Sequence, residues 1–559
     1  MADGPLIVQS DRTVLLEVAH PDAEDARHEL AVFAELERAP EHIHTYRITR
    51  LGLWNARAAG HDADNMLAAL ERWSRFPVPQ SVAVDLRETV DRYGRLVIDR
   101  TAAGELELRS TDAAILAEVA RAKHIQPLLT GRLDAASEDT DSGGTARFGV
   151  AAWARGTLKQ ELVKLGWPAE DLAGYTPGTP HEIDLDTTGW HLRPYQAQAI
   201  DDFFAGGSGV VVLPCGAGKT LVGAGAMAEA KTTTLVLVTN TVAARQWRSE
   251  LLARTSLTEE EIGEYSGQVK EIRPVTIATY QILTAKRKGE YAHLALLDAM
   301  DWGLIVYDEV HLLPAPVFKL TADLQARRRL GLTATLVRED GREGDVFSLI
   351  GPKRFDAPWK ELERQGFISP ASCFEVRIDL PQQERLEYAA SSDQERYRIA
   401  ATAPEKLRVV RRLVAQHAGE RILVIGQYLD QLDQLADAVG APKLTGATPV
   451  AERERLYQEF RDGTTRVLVV SKVANFSVDL PEATVAIQVS GSFGSRQEEA
   501  QRLGRLLRPK ESGLPASFYT LVARDTVDQD FAQNRQRFLA EQGYSYTILD
   551  ADDVLEAAP

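Results

Sequence analysis

GVVVLPCGAGKTLVGAGAMAEA, residues 209–230, is the stretch that decides the fold. An uncharged apolar run is followed at once by a glycine-rich turn and then by a helix-forming segment. A run with no polar alternation is the mark of a strand buried on both faces, as in a parallel sheet. In the turn, Gly216 and Gly218 let backbone amides point inward around phosphate oxygens. Pro214, Cys215 and Ala217 complete the loop. Lys219 can reach β- and γ-phosphates, and Thr220 can ligate magnesium. Leu213 stands where this motif usually opens with glycine.

Working outward, the same texture recurs. TTLVLVTN (233–240), VTIATY (275–280), GLIVYDE (303–309) and LGLTAT (330–335) read as further buried strands separated by helical segments. The pattern lapses across about 352–418 and resumes with ILVIG (422–426), RVLVVS (466–471), ATVAIQVS (483–490) and FYTLVA (518–523). Two α/β domains in tandem are predicted.

Chemistry-bearing residues gather at predicted strand ends, where ligands bind in open α/β sheets. DEVH (308–311) ends an apolar strand. Asp308 would hold magnesium, through water, and Glu309 would orient and deprotonate an attacking water. An isolated Asp-Glu pair is more often a solvated turn, but this one follows a phosphate loop. His311 would relay to the hydroxyls of Thr333 and Thr335. In QRLGRLLR (501–508), Arg505 and Arg508 share a helix face and can stabilise charge on a γ-phosphate, with Gln501 one turn earlier. Upstream, LRPYQ (192–196) offers Arg193 and Gln196, whose amide can read donor and acceptor on adenine. Lys472, in SKVANFSVDLP (471–481), follows a predicted strand, where a loop gripping nucleic acid would lie.

Taken together, LRPYQ, LPCGAGKT, DEVH, LGLTAT and GSRQEEAQRLGRLLRP resemble superfamily 2 helicases, and specifically the XPB type (xeroderma pigmentosum group B) in its bacterial form. Arg338-Glu339-Asp340, directly after LTATLV, matches a triplet that this family uses in opening DNA. The resemblance runs from about 40 to 545 and is strongest over 190–510. It implies two tandem RecA-like P-loop domains, ATP and Mg²⁺ as cofactors, and 3′→5′ movement on DNA with a single-stranded tail, a fork junction or duplex. It also implies that strand phosphates are gripped by loops near Thr239, Asn240, Gln246, Thr279, Tyr280 and Lys472. Two other readings share the same ATP residues: a double-stranded DNA translocase with little unwinding, and an ATP-gated scaffold for a nuclease or a transcription or repair protein.

The rest of the chain sets the frame. Residues 1–133 read as an α+β, winged-helix-like N-terminal domain. Helices are expected at 49–60, capped by Thr49, at 62–75, and around Val82–Val90, with a hairpin at 95–110. Residues 134–149 read as an acidic linker, and 150–187 as a reduced damage-recognition-like module. The two α/β domains are placed at 188–352 and 353–548, with a thumb-like insertion at 382–402 and a tail at 549–559. At 559 residues the chain is too long for one core. Its net charge of −17 argues mildly against nucleic acid, although a motor needs basic groups only along one groove. Two cysteines, Cys215 and Cys373, make no disulfide framework and fit a reducing cytoplasm. No apolar stretch predicts a membrane span or a signal peptide.

Overall fold

The computed structural model describes the chain except for residues 1–3, 40–41, 134–145, 215, 288–289, 292, 294–295, 298, 315–316, 318–323, 326, 335–342, 358, 472–482, 492–514, 543, 545 and 557–559. Two seven-stranded sheets dominate it. The first runs, edge to edge, Ile262–Tyr265, Val275–Thr279, Thr234–Val238, Leu304–Asp308, Arg328–Thr333, Gly209–Val212 and Lys353–Asp356. Every pairing in it is parallel. Successive strand residues face opposite sides, and both sides are covered. Val211, Val236, Val306 and Leu332 pack into one core, while Val210, Leu235, Ile305 and Tyr307 pack into another. That two-sided burial is why these strands read as unbroken apolar runs.

The second sheet runs Lys443–Leu444, Val467–Ser471, Ile422–Gly426, Val485–Gln488, Ala516–Ala523, Ala371–Ile378 and Tyr546–Asp550, again all parallel. The tandem RecA-like architecture expected from the strand pattern is therefore present, preceded by a smaller α+β region. One strand and one helix depart from the expected boundaries. Lys353–Asp356 pairs with Gly209–Val212, so the first sheet extends past residue 352. The helix Ala551–Glu556 buries Val554 in the core of the second sheet, so the segment after 549 is packed there rather than trailing as a tail. Helices Gln382–Ala390 and Asp393–Ala401 form a pair at the expected insertion; the first buries no side chain.

The N-terminal region differs from a winged helix. Helices Arg50–Ala58, Ala63–Trp73 and Gln80–Arg92 form where their apolar spacing predicts, and the Thr49 hydroxyl accepts from Gly52 N at 3.0 Å as the first cap. They pack, however, on a four-stranded antiparallel sheet built from Leu6–Val8, Thr13–Glu17, Ile43–Ile48 and Ala34–Arg38. The hairpin Leu96–Arg100 and Leu106–Ser110 joins a different, five-stranded sheet with Leu129–Leu133, Ala146–Val150 and Ala169–Asp171. Its inward residues Leu96, Ile98, Leu106 and Leu108 are covered by Leu158 and Leu162 of helix Arg155–Leu165. The three earlier helices have already buried their apolar stripes, so the hairpin goes to the element that still needs a partner. Residues 146–149 of the expected linker are a strand of this sheet.

Candidate functional site

The glycine-rich loop leaves its strand at Leu213, whose N–H donates to Thr333 O at 2.9 Å. Gly216 and Gly218 take φ of 81° and 80°, the left-handed region that side chains disfavour. A Cβ on Gly218 would also meet Gln196 Nε2 at 2.4 Å. Lys219 then opens the helix Lys219–Ala230, with Thr220 in its first turn. A helix N-terminus presents unpaired N–H groups and favours anions.

Gln196 braces this loop. Its Nε2 donates to Ala217 O at 2.8 Å, and its Oε1 accepts from Arg193 N at 2.9 Å. Both ends of the amide that could read adenine are engaged with the chain's own backbone. Tyr195, which the motif reading passed over, donates its hydroxyl to the same Ala217 O at 2.8 Å. Its signal was available as the tyrosine inside Pro-Tyr-Gln at a helix start. Arg193 lies at the joint to the second sheet: its guanidinium sits 5.2 Å from the Phe367 ring and donates to Phe367 O at 3.2 Å.

The acidic residues face the loop across the carboxyl ends of the strands. Asp308 ends the strand Leu304–Asp308, and Glu309 turns in the left-handed region at φ 49°, an uncommon conformation for a residue with a side chain. Lys219 Nζ lies 2.9 Å from Glu309 Oε1. His311 Nδ1 is 3.4 Å from Glu309 Oε2 and 2.6 Å from Thr333 Oγ1. Lysine, carboxylate, imidazole and hydroxyl thus form one continuous chain of polar contacts. Glu309 Oε2 is buried and has no hydrogen-bond partner among the described residues. Burial works against charge on Glu309, but Lys219 and His311 outweigh it and hold this carboxyl below its usual range. Burial, reinforced by the neighbouring Glu309, pushes Asp308 up to about 6.

Those groups suit a hard cation beside a polyphosphate. Asp308 and Thr220 supply oxygen donors, and among the described residues no group of three or more His, Cys, Asp or Glu side chains is placed to hold a metal ion by itself. Magnesium is ordinarily held by one or two protein oxygens together with substrate phosphates, so a fuller protein cage is not needed. Two side chains support Asp308: Trp247, which no motif singles out, and Tyr280, which the sequence offers as a phosphate-gripping residue. Trp247 Nε1 donates to Asp308 Oδ2 at 2.9 Å, and Tyr280 Oη donates to Asp308 O at 2.8 Å.

The residues proposed for phosphate gripping separate into two groups. Asn240 and Gln246 are exposed and Thr239 is half-buried; the Asn240 side chain caps helix Thr241–Arg254 by accepting from Ala243 N at 2.9 Å. Thr279 and Tyr280 are turned inward, at 4% and 3% exposure, because Tyr280 is spent on Asp308 and on the core. Neither reaches a surface where a strand could lie. Cys215, Thr335, Arg338, Glu339, Asp340, Lys472, Gln501, Arg505 and Arg508 lie outside the described residues.

Comparison with known proteins adds an independent measure. Residues 362–558 match the ERCC3/RAD25/XPB C-terminal helicase family, residues 189–338 the type III restriction enzyme res subunit family, and residues 6–134 a helicase conserved C-terminal domain family. A DNA 3′-5′ helicase XPB of Kineococcus radiotolerans is 66% identical over 100% of this chain and 99% of that protein. One from Mycobacterium tuberculosis is 63% identical over the whole of both chains. The general transcription and DNA repair factor IIH helicase/translocase subunit XPB/SSL2 of Saccharomyces cerevisiae is 32% identical over 98% of this chain and 72% of its own length. Among the described residues, no helix is long and apolar enough to cross a membrane.

Proposed function

The chain belongs to the XPB family of DNA 3′-5′ helicases, and from that premise we propose how its residues divide the work. It is an ATP-dependent 3′-5′ DNA helicase. The observation that carries the residue roles is the contact chain from Lys219 through Glu309 and His311 to Thr333, at the strand ends behind the glycine loop.

Lys219 and the loop amides bind the β- and γ-phosphates of ATP, and Thr220 and Asp308 hold Mg²⁺, which neutralises charge on those phosphates. Lys219 exchanges Glu309 for a phosphate oxygen when ATP enters. Glu309, released from its lysine, takes a proton from the attacking water as the new P–O bond forms and the bond to ADP breaks. His311 senses the change at Glu309 and passes it to Thr333. Arg505 and Arg508, with Gln501, approach the γ-phosphate from the second motor domain. Arg338, Glu339 and Asp340 act at the DNA junction, and the helical pair at 382–401 rests on the track. Thr239, Asn240, Gln246 and Lys472 grip strand phosphates. A protein partner in repair or transcription is part of this proposal, as it is for the relative named as a factor subunit.

The test is a panel on the full chain. Glu309→Gln is expected to keep ATP binding and lose about 10²- to 10⁴-fold of DNA-stimulated hydrolysis. Lys219→Ala is expected to lose both; full hydrolysis in that variant would refute the assignment. Unwinding of 3′-tailed forks against displacement of a triplex strand separates strand opening from pulling on duplex.

A further inference from the structure

Trp247 is absent from every motif considered above, yet it touches the acidic site directly. It lies in helix Thr241–Arg254, is 1% exposed, and donates its indole N–H to Asp308 Oδ2 at 2.9 Å. A buried indole N–H usually finds an acceptor, and backbone carbonyls often serve. In this chain Trp54 donates to Thr89 O, Trp190 to Asp186 O and Trp302 to Leu296 O. Trp247 instead donates to the carboxylate at the end of the central strand.

Its ring is also built into the nucleotide loop's own helix. A Cβ on Gly223, in the middle of helix Lys219–Ala230, would stand 2.4 Å from Trp247 Cη2. Glycine is unfavourable inside a helix, and here it makes room for the indole. The ring is therefore fixed from one side by the helix that carries Lys219 and Thr220, while its N–H fixes Asp308 from the other. The indole bond occupies Oδ2, and the backbone N–H of Glu309 also lies against this carboxyl. A carboxylate so held is set in direction.

We propose that Trp247 is a positioning residue that orients the Asp308 carboxylate for Mg²⁺, so that metal affinity in the nucleotide complex depends on one indole N–H. This rests on the reading of Asp308 as a metal-holding group. Hydrogen-bond donors behind a metal ligand fix its orientation, and losing one costs about 10- to 100-fold in metal affinity or activity. Trp247 acts through Asp308 and has no contact of its own with the reacting atoms.

The experiment measures binding of a non-hydrolysable ATP analogue to the full chain, with Mg²⁺ and with EDTA. Three proteins are compared with wild type: Trp247→Phe, the chain carrying 3-benzothienylalanine at 247, and Asp308→Asn. The benzothienyl ring keeps the indole shape and lacks only the N–H, so it guards against a Phe variant that packs poorly. The expected result is a loss of about tenfold or more in the Mg²⁺ enhancement of binding for both ring variants. Their affinity in EDTA and their thermal stability in the benzothienyl case stay at wild-type values. Full Mg²⁺ enhancement with the benzothienyl ring overturns the proposal, because shape alone then suffices. An equal loss with and without metal overturns it too, since the ring then shapes the loop and not the carboxylate. Full enhancement in Asp308→Asn refutes the metal reading itself, and the proposal falls with it.

Discussion

Replacing Asp171 by Asn is expected to unfasten helix Arg155–Leu165 from the first motor sheet. Asp171 accepts from Arg155 at 2.7 Å and from Lys159 at 2.9 Å, and the side chains involved are only 4% to 9% exposed. Lys159 also donates to Gln325 Oε1 at 3.0 Å, and Gln325 and Arg329 both donate to Leu349 O. The cluster is thus the polar seam between the five-stranded unit and helix Glu343–Leu349. Arg155, Lys159 and Arg329 are three cations acting on one another around a single carboxylate. Burial, with those cations adding to it, brings Lys159 down to about 8 even beside Asp171. Removing one partner of a buried ion pair costs about 3–5 kcal/mol, because the remaining charge is left dry and unpaired. That is roughly a 150- to 5,000-fold rise in local opening at about 1.4 kcal/mol per factor of ten. Hydrogen exchange of helices Arg155–Leu165 and Glu343–Leu349 reads it directly. Basal ATPase should hold, since no atom of this cluster touches Lys219 or Glu309, while strand opening per ATP should fall. Exchange rates within threefold of wild type would refute the reasoning and mean that water already reaches these cations. Linkage gives a second check. The folded Lys159 value lies below the ordinary 10.4, so between about pH 8 and 10.4 the opened chain binds more protons. The seam therefore tightens as pH rises through that window, by up to about 3 kcal/mol.

Three further outcomes are expected. Thr333→Val removes the hydroxyl 2.6 Å from His311 Nδ1; unwinding per ATP should fall by about tenfold, a hydrogen bond's worth, with ATP affinity unchanged in a direct titration. His44 is buried and its Nδ1 has no hydrogen-bond partner among the described residues; burial, with Arg27 nearby, brings it down to about 4. Its contribution is present above pH 6.5 and lost as pH falls through 4, so His44→Leu should remove about 3 kcal/mol of acid sensitivity in the exchange of strand Ile43–Ile48. Asp528→Ala strands the buried Lys406 ammonium, 2.7 Å away in wild type. It should cost about 3–5 kcal/mol in urea unfolding of the second motor domain, whereas the Lys406→Met, Asp528→Leu pair should recover most of it.

Much of the site was legible because its parts are local. Gly216, Gly218, Lys219 and Thr220 lie within one turn and need only a strand before and a helix after. Asp308 and Glu309 announce themselves by ending an apolar run. The partners that orient them were not legible. Trp247 and Tyr195 read as ordinary apolar positions and Tyr280 as a phosphate-gripping one, yet each spends its polar atom on a group tens of residues away. Thr279 and Tyr280 show the converse. Polar residues at a strand end look like surface groups, but here the next helical turn folds them inward. The hairpin at 95–110 is legible but its neighbours are not, because alternation locates a strand and says nothing of which helix will cover it.

The sequence by itself determined two parallel α/β sheets, the phosphate loop and the acidic strand end, since uninterrupted apolar runs and left-handed glycines have few other uses. Tertiary structure alone decided what those groups touch: that Lys219 pairs with Glu309, that Gln196 turns to the loop backbone, and that an indole from a separate helix holds Asp308. Periodicity fixes which face of an element is apolar. Long-range hydrogen bonds depend on how those faces stack, and stacking is settled only when every element competes for the same buried space.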